Sequence, residues 1–189
     1  MRRTNLAYNQ SYQRDRNIKG LIPLVLLIAL VVDAALSTLF PKAFIGEQQV
    51  IVPHFLVYFI LVFAFYLRHS YILWYSFLIG LVQDAYLTTV LGLYAIIYYL
   101  LTYFILKTRR YFPRNAIIHF MLFIVAITLI DFVVYYFYLR VGLVDMSVQT
   151  YILVRLGPSL IFNTAMAFFL YFPAKALLRW LGYNDHIIF

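Results

Sequence analysis

The sequence predicts an all-α integral membrane protein with six transmembrane helices and both termini in the cytoplasm, and three observations carry that prediction. Of 189 residues, 65% are hydrophobic and 12% charged, with a mean hydropathy of +0.87; soluble domains are roughly 45–50% apolar and about 25% charged. Six apolar segments reach the ~17–20 residues that a helix needs to cross ~30 Å of hydrocarbon. The basic residues fall almost entirely in alternate connections.

Residues 1–20, MRRTNLAYNQSYQRDRNIKG, form a polar, basic cytoplasmic segment. The apolar run behind it exceeds the ~7–15 residues of a signal-peptide core, so an uncleaved first span is expected. The transmembrane domain, residues 21–173, divides into spans at Leu21 to Phe40, Val50 to Leu67, Tyr71 to Leu87, Val90 to Leu106, Ala116 to Leu139 and Tyr151 to Phe172. As one helix, Tyr71 to Leu106 would extend about 54 Å, too far for one crossing. The chain must therefore turn back at Gln83 to Thr89, with Thr88 or Thr89 accepting hydrogen bonds from the first free N–H groups of the fourth helix. In the sixth span, Gly157 and Pro158 free backbone carbonyls and predict a kink. Residues 174–189 form a juxtamembrane tail. Within it AKALLRWLGY spaces Lys175 and Arg179 among apolar residues as a short helix on the cytoplasmic surface would.

Charge placement orients the chain. Of 15 Lys and Arg residues, only Lys42, Arg140 and Arg155 fall on the side opposite the termini. The N-terminal cluster, Arg68, the group Lys107, Arg109, Arg110 and Arg114, and the pair Lys175 and Arg179 share the other side, which the positive-inside rule makes cytoplasmic. These clusters also account for the net charge of +8 through orientation and anionic lipid at the cytoplasmic face rather than through nucleic acid. The chain has no cysteine, which excludes disulfides, thiolate metal sites and cysteine nucleophiles.

Ionisable groups at membrane depth cost at least ~2.5–3.5 kcal/mol on insertion scales, so each needs a partner or a purpose. Asp33, Asp84, Asp131 and Arg155 all map to the extracytoplasmic half, with Asn163 deeper in the last span. Arg155 is expected to pair with Asp131 or Asp84, Asp33 to hydrate at the outer interface, and Asn163 to bridge helices. Asp84 reads equally as a turn cap or a contact residue. Tyr98 and Tyr99 sit mid-membrane and require partners for their hydroxyls. His54, His69, His119 and His186 are scattered without a His pair at i, i+4 spacing, and no glycine-rich phosphate loop or nucleophile elbow occurs. Asp33 with Asp131 is the one candidate for acid–base chemistry, and no cofactor is indicated.

The pattern Gly-Leu-x-x-Asp, then seven residues, then Gly-Leu, carried by Gly80, Asp84 and Gly92, resembles the MreD family of bacterial rod shape-determining proteins. The length, the basic N-terminus, the six spans and the last span RLGPSLIFNTAMAFFLYFP are similar to that family as well. The resemblance implies a non-catalytic scaffold of the cell-elongation machinery, in the bacterial cell membrane, helping to organise lateral peptidoglycan synthesis. It implies association with MreC and, through it, with MreB and with RodA and its transpeptidase. On that reading Gly80, Gln83, Asp84 and Gly92 form the partner-binding surface, while Asp33, Asp131, Arg155 and Asn163 form a structural polar cluster. The resemblance also implies a fold similar to the S components of energy-coupling-factor vitamin transporters, and hence an alternative: a small-molecule-binding S component. The Ala-x-x-x-Ala docking pattern common in such components is absent, since Asp33 follows Ala29 and Leu39 follows Ala35 at that spacing.

Overall fold

A computed structural model describes residues 2–46, 49–67, 71–113 and 115–181, with side chains from Gly20 onward. Arg68 and Arg114 of the basic clusters, with His69 and His186, lie outside the described residues, as do the side chains of the N-terminal cluster. The described chain is helical. Its elements are α1 (Arg2–Leu39), α2 (Pro41–Phe44), α3 (Phe55–Tyr66), α4 (Ile72–Leu87), α5 (Leu93–Thr108), a 3-10 turn (Arg109–Tyr111), α6 (Ala116–Val141), α7 (Val148–Tyr151), a π turn (Ile152–Leu156) and α8 (Gly157–Trp180). The connections at 40–46 and 49–54, 88–92 and 142–147 lie at one end of the bundle, and Leu67 and 109–113 at the other.

Three stretches are long and apolar enough to cross a membrane: Gly20–Leu39, Ala116–Val141 and Val148–Trp180. They turn apolar side chains outward, among them Leu24, Ile28 and Val31 on α1, Met121, Val125 and Leu129 on α6, and Ile161, Phe168 and Phe172 on α8. No polar face opposes these, so they suit hydrocarbon rather than water.

At the centre stands α3. Every residue of this 12-residue helix except Phe59 is buried, which explains an apolar sequence with no polar stripe. At 1.5 Å per residue it is only about 18 Å long. The expected second helix, Val50 to Leu67, is therefore replaced by an extended stretch over 49–54 followed by α3. Extended backbone rises ~3.3 Å per residue, so the combination covers roughly the same depth as a full helix. Pro53 is the local reason: it pushes the residue before it away from helical dihedrals.

The other departures have comparable causes. Helix α5 begins at Leu93 rather than Val90, because Gly92 adopts φ +96, a left-handed conformation that glycine enters without penalty. The predicted kink is the π turn, closed by the Gly157 N–H donating to the Ile152 carbonyl. A Cβ on Gly157 would lie 3.1 Å from that oxygen. The tail after Pro173 is not a separate surface helix: α8 continues through Pro173 to Trp180, and Ala174, Leu178 and Leu181 pack into the core.

Candidate functional site

The hairpin of α4 and α5 contains all the residues of the glycine–aspartate motif. Gly80 is where the two helices meet. A Cβ there would lie 2.5 Å from the Ala95 Cα and 2.8 Å from the Ala95 nitrogen, so backbone touches backbone and no side chain fits. One turn later Asp84 is 2% exposed and reaches across to the start of α5. Its carboxylate accepts from the N–H groups of Gly92 (3.0 Å), Tyr94 (3.1 Å) and Ala95 (3.0 Å). These are orphan donors of a helix N-terminus, and a negative charge there also complements the helix dipole. The expected threonine cap is thus corrected: Asp84 caps α5 from the preceding helix. Thr88 instead directs its hydroxyl toward Asp84 and the Val90 carbonyl, 3.0 Å away. Gln83 accepts from the Tyr98 hydroxyl at 2.8 Å, which supplies the partner that tyrosine required. Beyond the lock, Tyr86 (83% exposed) and Leu91 (73% exposed) project from the tip.

The same device recurs on α3. Asp33 does not hydrate at an interface; its two carboxylate oxygens accept from the Phe55 and Leu56 N–H groups, each at 2.9 Å. At the opposite end of α3, Arg109 donates to the carbonyls of Ala64 (2.8 Å) and Leu67. Anion at the N-terminus and cation at the C-terminus is the arrangement the dipole favours. Removing Asp33 strands two N–H groups, so Asp33→Ala is expected to cost about 2 kcal/mol, measurable as a lowered thermal midpoint in detergent. An unchanged midpoint would show that the cap is dispensable.

The extended stretch is held by α8. Asn163 accepts from the His54 N–H (2.7 Å) and donates to the Val52 carbonyl (2.7 Å). Ser159, one turn earlier, accepts from the Val52 N–H at 2.9 Å. Pro158 has no N–H to give the Val154 carbonyl, and that oxygen accepts instead from the Val50 N–H at 2.8 Å. Non-helical backbone is tolerated at membrane depth only when protein satisfies it, and here three residues of the last span do so. Asn163, expected to bridge two helices, instead ties α8 to the extended backbone before α3. Asn163→Leu, which fills the volume but offers no hydrogen bonds, should cost about 2 kcal/mol and release the 50–54 amides to faster hydrogen exchange. Unchanged exchange there would contradict the clamp.

Arg155 pairs with neither expected carboxylate. Asp131, fully buried, instead lies 3.4 Å from His54 Nε2, an ion-pair distance without hydrogen-bond geometry. The backbone carbonyl of Asp131 accepts from the Tyr151 hydroxyl at 3.0 Å. Asp33 and Asp84 are occupied by backbone N–H groups. Asp33 and Arg155 both line a cavity of about 270 Å³ together with His54, Gln83 and Thr88, so of the expected polar cluster these two face one space. Asp131 stands behind His54, and Asn163 beneath the extended stretch. Asp33 and Asp131 are not assembled as an acid–base pair. Among the described residues there is also no cluster of three or more His, Cys, Asp or Glu able to hold a metal.

His54, Ser159 and Arg109 are the functional partners that the sequence reading missed. For Ser159 a signal existed: it stands four residues before Asn163 and beside Pro158, one face of a helix carrying two hydrogen-bonding side chains next to a free carbonyl. Arg109 was visible only as one member of a basic cluster.

The model of the family described as rod shape-determining protein MreD matches residues 15–181. A curated relative, the rod shape-determining protein MreD of Bacillus subtilis (strain 168), is 24% identical over 155 residues, covering 82% of this chain and 90% of its own length. No solved structure matches the chain.

Proposed function

We propose, from the premise that the chain belongs to the MreD family of rod shape-determining proteins, that it is a non-catalytic membrane scaffold that binds MreC and thereby helps organise lateral peptidoglycan synthesis. The observation that supports this reading most is the hairpin lock. Gly80, Gln83, Asp84 and Gly92 are spent on fixing the α4–α5 tip, and a rigid tip bearing exposed Tyr86 and Leu91 is what a protein partner can recognise without an ordering cost. The family motif then acts through shape: buried Asp84 builds the contact surface and does not itself touch MreC.

The topology proposed with it has six crossings in the bacterial cell membrane, both termini cytoplasmic, with α3 crossing as half of an extended-plus-helical span. Lys107, Arg110 and Lys175 then face anionic lipid at the cytoplasmic surface, and MreB and RodA with its transpeptidase are reached through MreC. Purification of the tagged protein from native membranes in mild detergent tests the assignment. Recovery of MreC with cell-wall synthesis proteins is expected. Recovery of transporter ATPase subunits in their place would overturn the scaffold in favour of an S component.

A further inference from the structure

Among the described residues Arg155 is a cation without a counterion. It sits on the π turn, half-buried, and its Nε is sealed from solvent with no hydrogen-bond acceptor. Among the described residues no carboxylate lies within ion-pair distance of it. Asp33, Asp84 and Asp131 are each engaged elsewhere: the first two by backbone N–H groups, the third beside His54. A guanidinium at membrane depth costs at least ~2.5 kcal/mol unless something compensates it, and the helix that carries it is locally unwound into the π geometry that often marks functional sites.

What Arg155 faces is a space. It lines the cavity of about 270 Å³ on one side. On its other side it lines an apolar cleft of about 140 Å³ walled by Tyr135, Tyr138, Tyr151 and Val154. In the larger cavity the hydroxyls of Ser37, Thr38 and Thr88 already donate to backbone carbonyls, and the two carboxylate oxygens of Asp33 accept from the Phe55 and Leu56 N–H groups. Among the described residues lining this cavity, Arg155 is the one permanently charged cation, and its guanidinium is the natural seat for an anion.

We propose that this cavity binds an anionic group, phosphate or carboxylate, seated on the Arg155 guanidinium, with any apolar part of the ligand directed into the tyrosine-walled cleft. Two sources share that chemistry: the headgroup of a membrane lipid and a water-soluble anion. The cavity shares Gln83 and Thr88 with the α4–α5 hairpin, while the exposed Tyr86 and Leu91 of its tip lie outside the lining.

The test uses the full-length protein in nanodiscs of phosphatidylcholine, with and without phosphatidylglycerol, read by native mass spectrometry after gentle release. In parallel, inorganic phosphate is titrated in the pure phosphatidylcholine discs while the unfolding midpoint is followed. A lipid source predicts one phosphatidylglycerol retained per chain; a soluble source predicts a midpoint that rises with phosphate and no retained lipid. Either way Arg155→Gln should weaken binding about tenfold or more, the equivalent of one lost charge-assisted contact, and Arg155→Lys should weaken it less. Ala34→Phe, which fills the cavity from α1 and leaves Arg155 in place, should abolish binding even if Arg155→Gln proves too unstable to isolate. Equal retention by wild type and Ala34→Phe, or neither lipid retention nor a phosphate response in the wild type, would overturn the proposal.

Discussion

Asp84→Ala is expected to lower stability by about 4 kcal/mol, the largest effect of any single substitution considered. Three N–H groups at the start of α5 depend on that carboxylate. The site is buried, so water cannot replace it, and each stranded donor costs about 1–3 kcal/mol. Loss of the anion at the N-terminus of α5 adds a smaller dipole contribution of roughly 0.3–1 kcal/mol. Asp84→Asn keeps one acceptor oxygen but turns an NH2 group toward the remaining donors, so it should lose about half as much. Thermal unfolding in detergent gives the ranking; a midpoint for Asp84→Ala equal to wild type would remove the lock from the account.

Gly80→Ala sets two effects against each other. On an exposed helix the change would stabilise by roughly 1 kcal/mol, because alanine restricts the unfolded chain. Here the new methyl would stand 2.5 Å from the Ala95 Cα, with backbone on the far side that cannot rotate away. The helices must separate along their closest contact, and overpacking of this kind costs about 1–3 kcal/mol or more. The clash wins, for a net loss of up to about 2 kcal/mol from overpacking alone, and the parted helices add to it by drawing Asp84 away from its donors. Gly20 is the internal control: nothing lies within 4 Å of a Cβ there, so Gly20→Ala should be neutral or slightly stabilising. If the two substitutions behave alike, close approach at Gly80 is not what its glycine serves.

These two positions show what a sequence can and cannot disclose here. Hydropathy exposes apolar spans, and the length argument forces the turn near Gln83 because it needs only helix rise and membrane thickness. The gathering of Asp33, Asp84 and Arg155 toward one end was equally legible, since depth along alternating spans follows from counting. What counting cannot supply is azimuth, the direction a side chain takes around its helix. Arg155 was therefore given Asp131 or Asp84, although both are turned elsewhere.

The extended stretch before α3 was hidden for another reason. Val50, Ile51 and Val52 are as apolar as any helix, and the residues that make their backbone tolerable, Ser159 and Asn163, lie more than 100 positions away. Pro53 was the available local signal. Conversely, Pro173 promised a break that did not come, since prolines are accommodated in membrane helices where neighbouring packing holds the chain.

The claim that the locked α4–α5 tip receives MreC is tested most directly by photo-crosslinking in living cells. A photoreactive residue is placed at Leu91 on the tip, and for comparison at Trp180, exposed at the far end of α8. A crosslink to MreC is expected from Leu91, absent from Trp180, and lost from Leu91 when Asp84→Ala is added at matched protein level. An MreC crosslink from Trp180 with none from Leu91, or one from Leu91 indifferent to Asp84, would contradict it.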